Sequence, residues 1–289
     1  MMGEKVMKQE KTEKTEKKQF TVFGFTIWRL MAYFIIYSIL GYIVETLFGL
    51  VTKGVLESRK SFLYGPFCAI YGLGAVVVIL GLQKFKKNNY TLFFGGILIG
   101  SIVEYAISAI GELIFHIKWW DYSGMPFNIN GRICLAFSFF WGVLAIYLMG
   151  HLQPKIEKLL NKIPEKTFKI VTVVGVVVML LDFIVTGFAL QIFFTRLVRN
   201  YNLELKDMDK YIVKGNQIYD NPTVREITDK YFSDEKMLKT FPNIKVTKKD
   251  GKIIYICDIL KDIQPYYVRI FTPKLGIKDG DIVRVNANE

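Results

Sequence analysis

Four carboxylates, Glu45, Glu104, Glu112 and Asp182, lie within stretches otherwise dominated by Leu, Ile, Val, Phe, Ala and Gly. A carboxylate near mid-bilayer costs about 2.5 to 3.5 kcal/mol on insertion scales unless it faces other helices, water or a cation. Acids kept at that cost are candidates to take up a proton or cation, or to contact a cationic part of a substrate. The plainer account is that one pairs with Arg132 while the others are protonated or hydrogen-bonded to Ser and Tyr, merely fixing helix register. Gly41 and Gly100 stand one turn before Glu45 and Glu104. Small residues let a neighbouring helix approach, so both acids should point into a bundle rather than at lipid. Glu112 lies near a span end, where solvation is the simpler expectation. A second candidate set is the loop 119–132, Trp-Trp-Asp-Tyr-Ser-Gly-Met-Pro-Phe-Asn-Ile-Asn-Gly-Arg. Asp121 and Arg132 offer opposite charges there, and Asn128 and Asn130 offer amide donors and acceptors. A re-entrant gate on that side is expected, with an aromatic interfacial anchor as the bland alternative.

The elements that must position these groups are apolar runs. The chain has 289 residues, of which 52% are hydrophobic and 15% aromatic. Five runs are long enough to cross a hydrocarbon core, which takes about 20 helical residues. They are expected at 30–51, 61–82, 91–115, 133–150 and 170–194. A backbone in lipid must satisfy its own hydrogen bonds, so helices are the default for all five. The fold class expected is an all-α integral membrane protein, a five-span bundle with a small α+β C-terminal tail. Residues 1–29 read as a solvated arm of alternating Lys and Glu, 30–194 as the transmembrane domain and 195–289 as the soluble tail. Within the tail, Asn221 before Pro222 marks a helix start, and Ser233 with Asp234 and Glu235 marks another. Asp250-Gly251 reads as a hairpin turn between Lys245-Val246 and Ile253 to Ile256, with a further strand pair around Asp279-Gly280.

The first and third runs share a phrase, Gly41-Tyr42-Ile43-Val44-Glu45 and Gly100-Ser101-Ile102-Val103-Glu104. Each is followed by a loop with a Pro-Phe turn, Gly65-Pro66-Phe67 and Gly124-Met125-Pro126-Phe127, and then by another run. Two tandem helical hairpins of like orientation are the expected consequence, with the two glutamates at equal depth.

The net charge of +12 belongs mostly to the N-terminal arm and to loops flanking apolar runs, a membrane-topology pattern rather than a nucleic-acid one. Lys84, Lys86, Lys87, Lys155, Lys158, Lys162, Lys166 and Lys169 fall on the side of the N-terminus, which should therefore be cytoplasmic. Three scattered cysteines and two histidines leave no spaced metal set. No Walker A, HExxH or GxSxG motif occurs. No cofactor is expected, and nothing in the sequence marks the chain as an enzyme.

The residues Ser38-Ile39-Leu40-Gly41-Tyr42-Ile43-Val44-Glu45, Gly65-Pro66-Phe67-Cys68-Ala69-Ile70-Tyr71-Gly72, Glu104-Tyr105, Trp119-Trp120-Asp121-Tyr122-Ser123 and Pro126-Phe127-Asn128-Ile129-Asn130-Gly131 resemble a known pattern. So do Ile133-Cys134-Leu135, Phe137-Ser138, Trp141-Gly142 and the tail segment 231–243. The pattern is that of the bacterial ABC-transporter permease family, the type IV ABC-transporter membrane component. Tyr64 stands where Asn is expected and Ala69 where Pro is expected. The resemblance implies a multi-pass plasma-membrane protein, transporter or permease-like, that would need a separate ATPase subunit. The partners expected are the lipid bilayer, that subunit and a second copy of the chain. A membrane enzyme acting on a lipid or envelope substrate, with Glu45 and Glu104 as acid and base, and a non-transporting scaffold or sensor are the alternatives.

Overall fold

The computed structural model describes residues 21–115, 117–260, 262–263 and 267–272. It is mostly helical, with small two-stranded sheets. A short antiparallel hairpin, β1 (Thr21–Val22) and β2 (Phe25–Thr26), leads into α1 (Ile27–Lys53). Residues 21–29 are therefore ordered, contrary to the expected arm 1–29. Phe25 packs edge-on to Tyr33 at 5.8 Å, and the carbonyl of Phe23 accepts from Gln83 Nε2. Residues 1–20 lie outside the described residues.

Thr26 caps α1 by accepting from the Arg29 amide, and Gly54 ends the helix at φ 69°. The strand β3 (Val55–Glu57) follows. The next helix, α2 (Ala69–Leu82), starts eight residues later than the expected 61–82. Pro66 explains part of the delay, since it lacks an N–H and disfavours helical geometry in the residue before it. The amides of Leu63, Tyr64 and Gly65 also turn away to side chains of a later helix. At about 1.5 Å per residue, the 14 residues of α2 extend roughly 21 Å, short of a hydrocarbon core of about 30 Å.

A long helix, α3 (Asn89–Phe115), precedes the aromatic loop. Beyond that loop, α4 (Leu135–Tyr147) continues through a π turn at Leu148–Leu152 into α5 (Gln153–Leu160). Pro154 accounts for the turn, because its ring would clash with the carbonyl four residues earlier and removes one helical hydrogen bond. The fourth helix thus outruns the expected end at Gly150. α6 (Glu165–Tyr201) is the longest and stops where Asn202 turns left-handed at φ 49°. Among the described residues four helices are long and apolar enough to cross a membrane, namely α1, α3, the α4–α5 unit and α6, with α2 a shorter apolar helix.

The tail contains α7 (Asp209–Tyr219), α8 (Pro222–Tyr231) and α9 (Asp234–Thr240), then β4 (Lys245–Thr247), β5 (Ile253–Tyr255) and β6 (Tyr267–Arg269). Asn221 caps α8 with Pro222 in its first turn, and Ser233 caps α9. β4 and β5 form an antiparallel hairpin with Gly251 at φ 85°. β6 pairs instead with β3, in the register Val55↔Arg269, Leu56↔Val268 and Glu57↔Tyr267. The strand pair expected near Asp279-Gly280 lies outside the described residues.

Two apolar cores hold the molecule. One joins Tyr33 and Tyr37 of α1, Ile79 and Leu82 of α2, Leu92 of α3, and Leu148 and Met149. The other packs the last turns of α6, Leu190, Phe193, Phe194 and Leu197, against Met208, Met237, Phe241, Val246 and Ile256 of the tail, and reaches Leu63 and Ile117 in the two loops. The outer faces of α3 and α6 expose Phe94, Leu98, Ile102, Val174, Val178, Leu181 and Ile184. Apolar surface so continuous is untenable in water and is natural against lipid.

Candidate functional site

α1 packs on α2 as α3 packs on α4, and each pairing puts an aromatic donor on a glutamate. Tyr71 on α2 donates its hydroxyl to Glu45 Oε2 at 2.8 Å. Trp141 on α4 donates its indole N–H to Glu104 Oε2 at 3.0 Å. The same rings cover the glycines one turn earlier. A Cβ on Gly41 would lie 2.2 Å from Tyr71 Cβ, and one on Gly100 2.4 Å from Trp141 Cγ. The next residues repeat the arrangement, since a Cβ on Gly72 would lie 2.5 Å from the Phe34 carbonyl oxygen and one on Gly142 2.9 Å from that of Phe93. Close helix contact through small residues is what brings each aromatic within reach of its acid.

Both glutamates line one cavity of about 660 Å³ between α1, α2, α3, α4 and α6. Its walls are largely Phe, Ile, Leu and Trp side chains, with polar groups at a few points. An apolar cleft of several hundred Å³ with sparse, convergent polar groups is the usual form of a small-molecule site. Glu104 is 4% exposed. Its Oε1 accepts the Tyr122 hydroxyl at 2.9 Å, and Trp141 occupies the other oxygen. Among the described residues no Lys or Arg nitrogen lies within ion-pair distance of it. Glu45 differs, because Arg59 Nη1 stands 3.6 Å from its Oε1. Arg59 also reaches Glu57 at 2.6 Å, and Lys53 reaches the same Glu57 oxygen at 2.9 Å. Burial alone would raise the Glu57 carboxyl, but Arg59 and then Lys53 hold it below the usual carboxylate range.

The cation beside Glu45 is thus Arg59, not Arg132. Arg132 pairs with Glu112 at 2.7 Å, donates to Ser108, and lies over the Tyr105 ring. Glu112 is ion-paired rather than merely solvated, with Lys118 at 3.9 Å as a second partner. Asp182, buried on α6, accepts from the amides of Tyr64 at 3.1 Å and Gly65 at 2.7 Å, while Thr186 accepts from Leu63 at 2.9 Å. This acid and its neighbouring hydroxyl supply the backbone partners that the non-helical stretch before α2 lacks. Irregular backbone at membrane depth is tolerated where protein supplies such partners.

Of the expected site residues, Glu45, Glu104 and Asp121 line the cavity; Asn128, Asn130 and Arg132 do not. Asp121 accepts from the amide and hydroxyl of Ser123, and Asn128 ties Ser123, Met125 and Gly131 together. Asn130 donates to Tyr105 and, with Phe127, adopts left-handed φ. These side chains fold the loop 119–132 upon itself. Residues missed from sequence are Arg59, Tyr71, Tyr122 and Trp141. A usable signal existed for two of them, since Tyr71-Gly72 and Trp141-Gly142 are the same aromatic-glycine pair in the two hairpins.

The cavity also touches the tail at Thr240 to Lys245. Asn243 donates to Glu57, and Lys118 and Lys245 form a β-bridge. Tail and both Pro-Phe loops therefore sit together at one end of the helices. At the other end Arg29 pairs with Glu157 at 3.0 Å and lies over Phe168.

Residues 32–187 match the model of the family described as Putative ABC-transporter type IV. No curated protein and no solved structure matches the chain. The family match spans more than half of the sequence and the apolar helices agree with it. The chain belongs to this family and is a multi-pass membrane protein, transporter-like in kind.

Proposed function

From membership of that family, we propose that the protein is a permease-like component of the bacterial plasma membrane whose substrate path runs through an intramembrane carboxylate site formed by Glu45 and Glu104. The observation that carries this reading is the convergence of the two glutamates, from matching places on α1 and α3, on a single apolar cavity. Two tandem hairpins, α1–α2 and α3–α4, with α6 lining one side of the cavity, account for the repeated glycine and aromatic contacts. The short α2 and the non-helical stretch before it together make the second of five passages through the bilayer. An odd number of passages puts the tail opposite the N-terminus, in keeping with its contacts to the Pro-Phe loops.

The N-terminal side is cytoplasmic in this reading. It carries exposed lysines at 84, 86, 87, 155, 158, 162 and 166, the excess that marks inner loops. A separate ATPase subunit would dock there, because the chain has no nucleotide-binding motif. Asp121 sits at the cavity and the other loop polar residues, Asn128, Asn130 and Arg132, hold the loop that borders it.

The test is complementation of a strain lacking the gene by Glu45→Gln and Glu104→Gln variants, with membrane levels and detergent elution profiles checked against the parent. Both variants should insert and elute normally, and Glu104→Gln should abolish complementation. Normal complementation by both would remove the carboxylate site.

A further inference from the structure

The cavity contains a feature that a proton site alone does not need: its buried acid is set among ring faces. Tyr71 and Trp141 lie 5.6 Å apart between ring centroids, and Tyr122 stacks on Phe137 at 4.8 Å. All four rings line the cavity beside Glu104. Tyr122 and Trp141 present neutral donors to the carboxylate, so its charge has hydrogen bonds without a matching cation. Arg59 is already engaged by Glu57 and Glu45. A carboxylate surrounded by aromatic faces in an apolar enclosure favours a ligand with positive charge and little appetite for water, since ring quadrupoles attract cations most strongly when these are desolvated.

The opening of the cavity indicates how such a ligand arrives. Ile110 and Ile114 of α3 and Leu180 of α6 line the cavity and are also 54%, 50% and 55% exposed. They belong at once to the inner wall and to the lipid-facing surface. The cavity is therefore open sideways, between α3 and α6, at the level of acyl chains.

Resting on the reading that this cavity is the substrate site, we infer that it takes an organic cation with an apolar body, admitted laterally from the bilayer, with its charge held by Glu104 among Tyr71, Tyr122, Phe137 and Trp141. The cation fills the missing partner of Glu104, and the apolar body replaces lipid against the Ile, Leu and Phe walls.

Tetraphenylphosphonium is a suitable probe, with tetraphenylborate as its anionic counterpart of like shape and triphenylphosphine oxide as a neutral control. Equilibrium dialysis on the full chain in detergent should give saturable binding of the phosphonium and no comparable binding of the borate. Glu104→Gln should weaken phosphonium binding by about tenfold or more, on the scale expected for a desolvated charge contact, and leave the neutral oxide unchanged. Glu112→Gln, whose carboxylate lies outside the cavity, should bind as the parent does. Borate binding equal to that of the phosphonium, or a Glu104→Gln variant that retains phosphonium affinity, overturns the inference.

Labelling of the unmodified chain with dicyclohexylcarbodiimide, read by mass spectrometry, keeps the test decisive if the variant fails to fold. Labelling of Glu104 that the phosphonium suppresses supports the inference. Labelling that the phosphonium leaves intact overturns it while the carboxylate cavity survives.

Discussion

Replacing Asp182 with Leu should destabilise the protein by releasing the stretch before α2, not by removing chemistry. Asp182 Oδ1 and Oδ2 each accept one amide, from Tyr64 and Gly65. Hydrogen bonds to a charged group contribute about 1.5 to 3 kcal/mol each. Tyr64 is 50% exposed, so water can replace part of its loss, and the lower end of the range applies. Two bonds then give roughly 3 kcal/mol, or about 6 to 12 °C in melting temperature for a chain of this size. Asp182→Asn keeps one acceptor and turns an amide N–H₂ toward the other backbone N–H, so it should lose about half as much. Melting followed by fluorescence-detected size exclusion in detergent reads both variants. The same samples, probed by protease in the segment 61–68, should show faster cleavage for Leu than for Asn. A Leu variant that melts within about 2 °C of the parent and resists cleavage equally would mean that Asp182 does not hold this backbone, and its burial would then need a different cause.

Three further outcomes follow from the packing and the charges. Gly41→Ala and Gly100→Ala should each lower stability by about 1 to 3 kcal/mol, as overpacked cores do, because the new Cβ meets the ring-bearing carbons of Tyr71 and Trp141; melting in detergent checks this. Glu57, depressed by Arg59 and Lys53, should stabilise tail docking fully above its unfolded value of about 4.3 and progressively less as pH falls through its lowered folded value. Amide exchange at β6 against pH should show that loss, and Glu57→Gln should flatten the profile. Single cysteines at Lys206 and at Phe127 should react with an impermeant maleimide from one side of the membrane and a cysteine at Lys86 from the other; Lys206 reacting with Lys86 instead would break the five-passage arrangement.

Much of the fold was legible because lipid leaves a backbone few options. The apolar runs identified four long helices, and the cap signals at Asn221 and Ser233 mark helix starts in the structure. The second run misled because composition reports burial, not conformation. Residues 61–68 carry no charge and run on into the apolar α2, yet Gly65-Pro66 breaks the helix and Asp182, far along the chain, makes the break tolerable. The fourth run errs in the opposite sense, since the helix continues beyond Gly150 through a π turn and past Pro154. At the site, the glutamates were visible as misplaced charges and their glycines as close-approach positions. Arg59 was not, because a basic residue in a polar loop carries no mark of the direction in which it folds. The aromatic donors were hidden among 15% aromatic residues, and only the repeated aromatic-glycine pair distinguishes Tyr71 and Trp141.

The pairing of β3 with β6 bears on how the chain matures. β3 leaves the ribosome directly after α1, whereas β6 is the last strand described, so β3 must wait until Tyr267–Arg269 has been made before its ladder can close. Closing so long a loop costs chain entropy late in assembly and makes the step slow relative to local helix pairing. Until then the edge at Val55–Glu57 is open to any extended strand nearby, including the same segment of a neighbouring nascent chain. Lys53 and Arg59 flank that strand and place charge where an uninvited partner would have to desolvate it, an arrangement that disfavours pairing at the open edge.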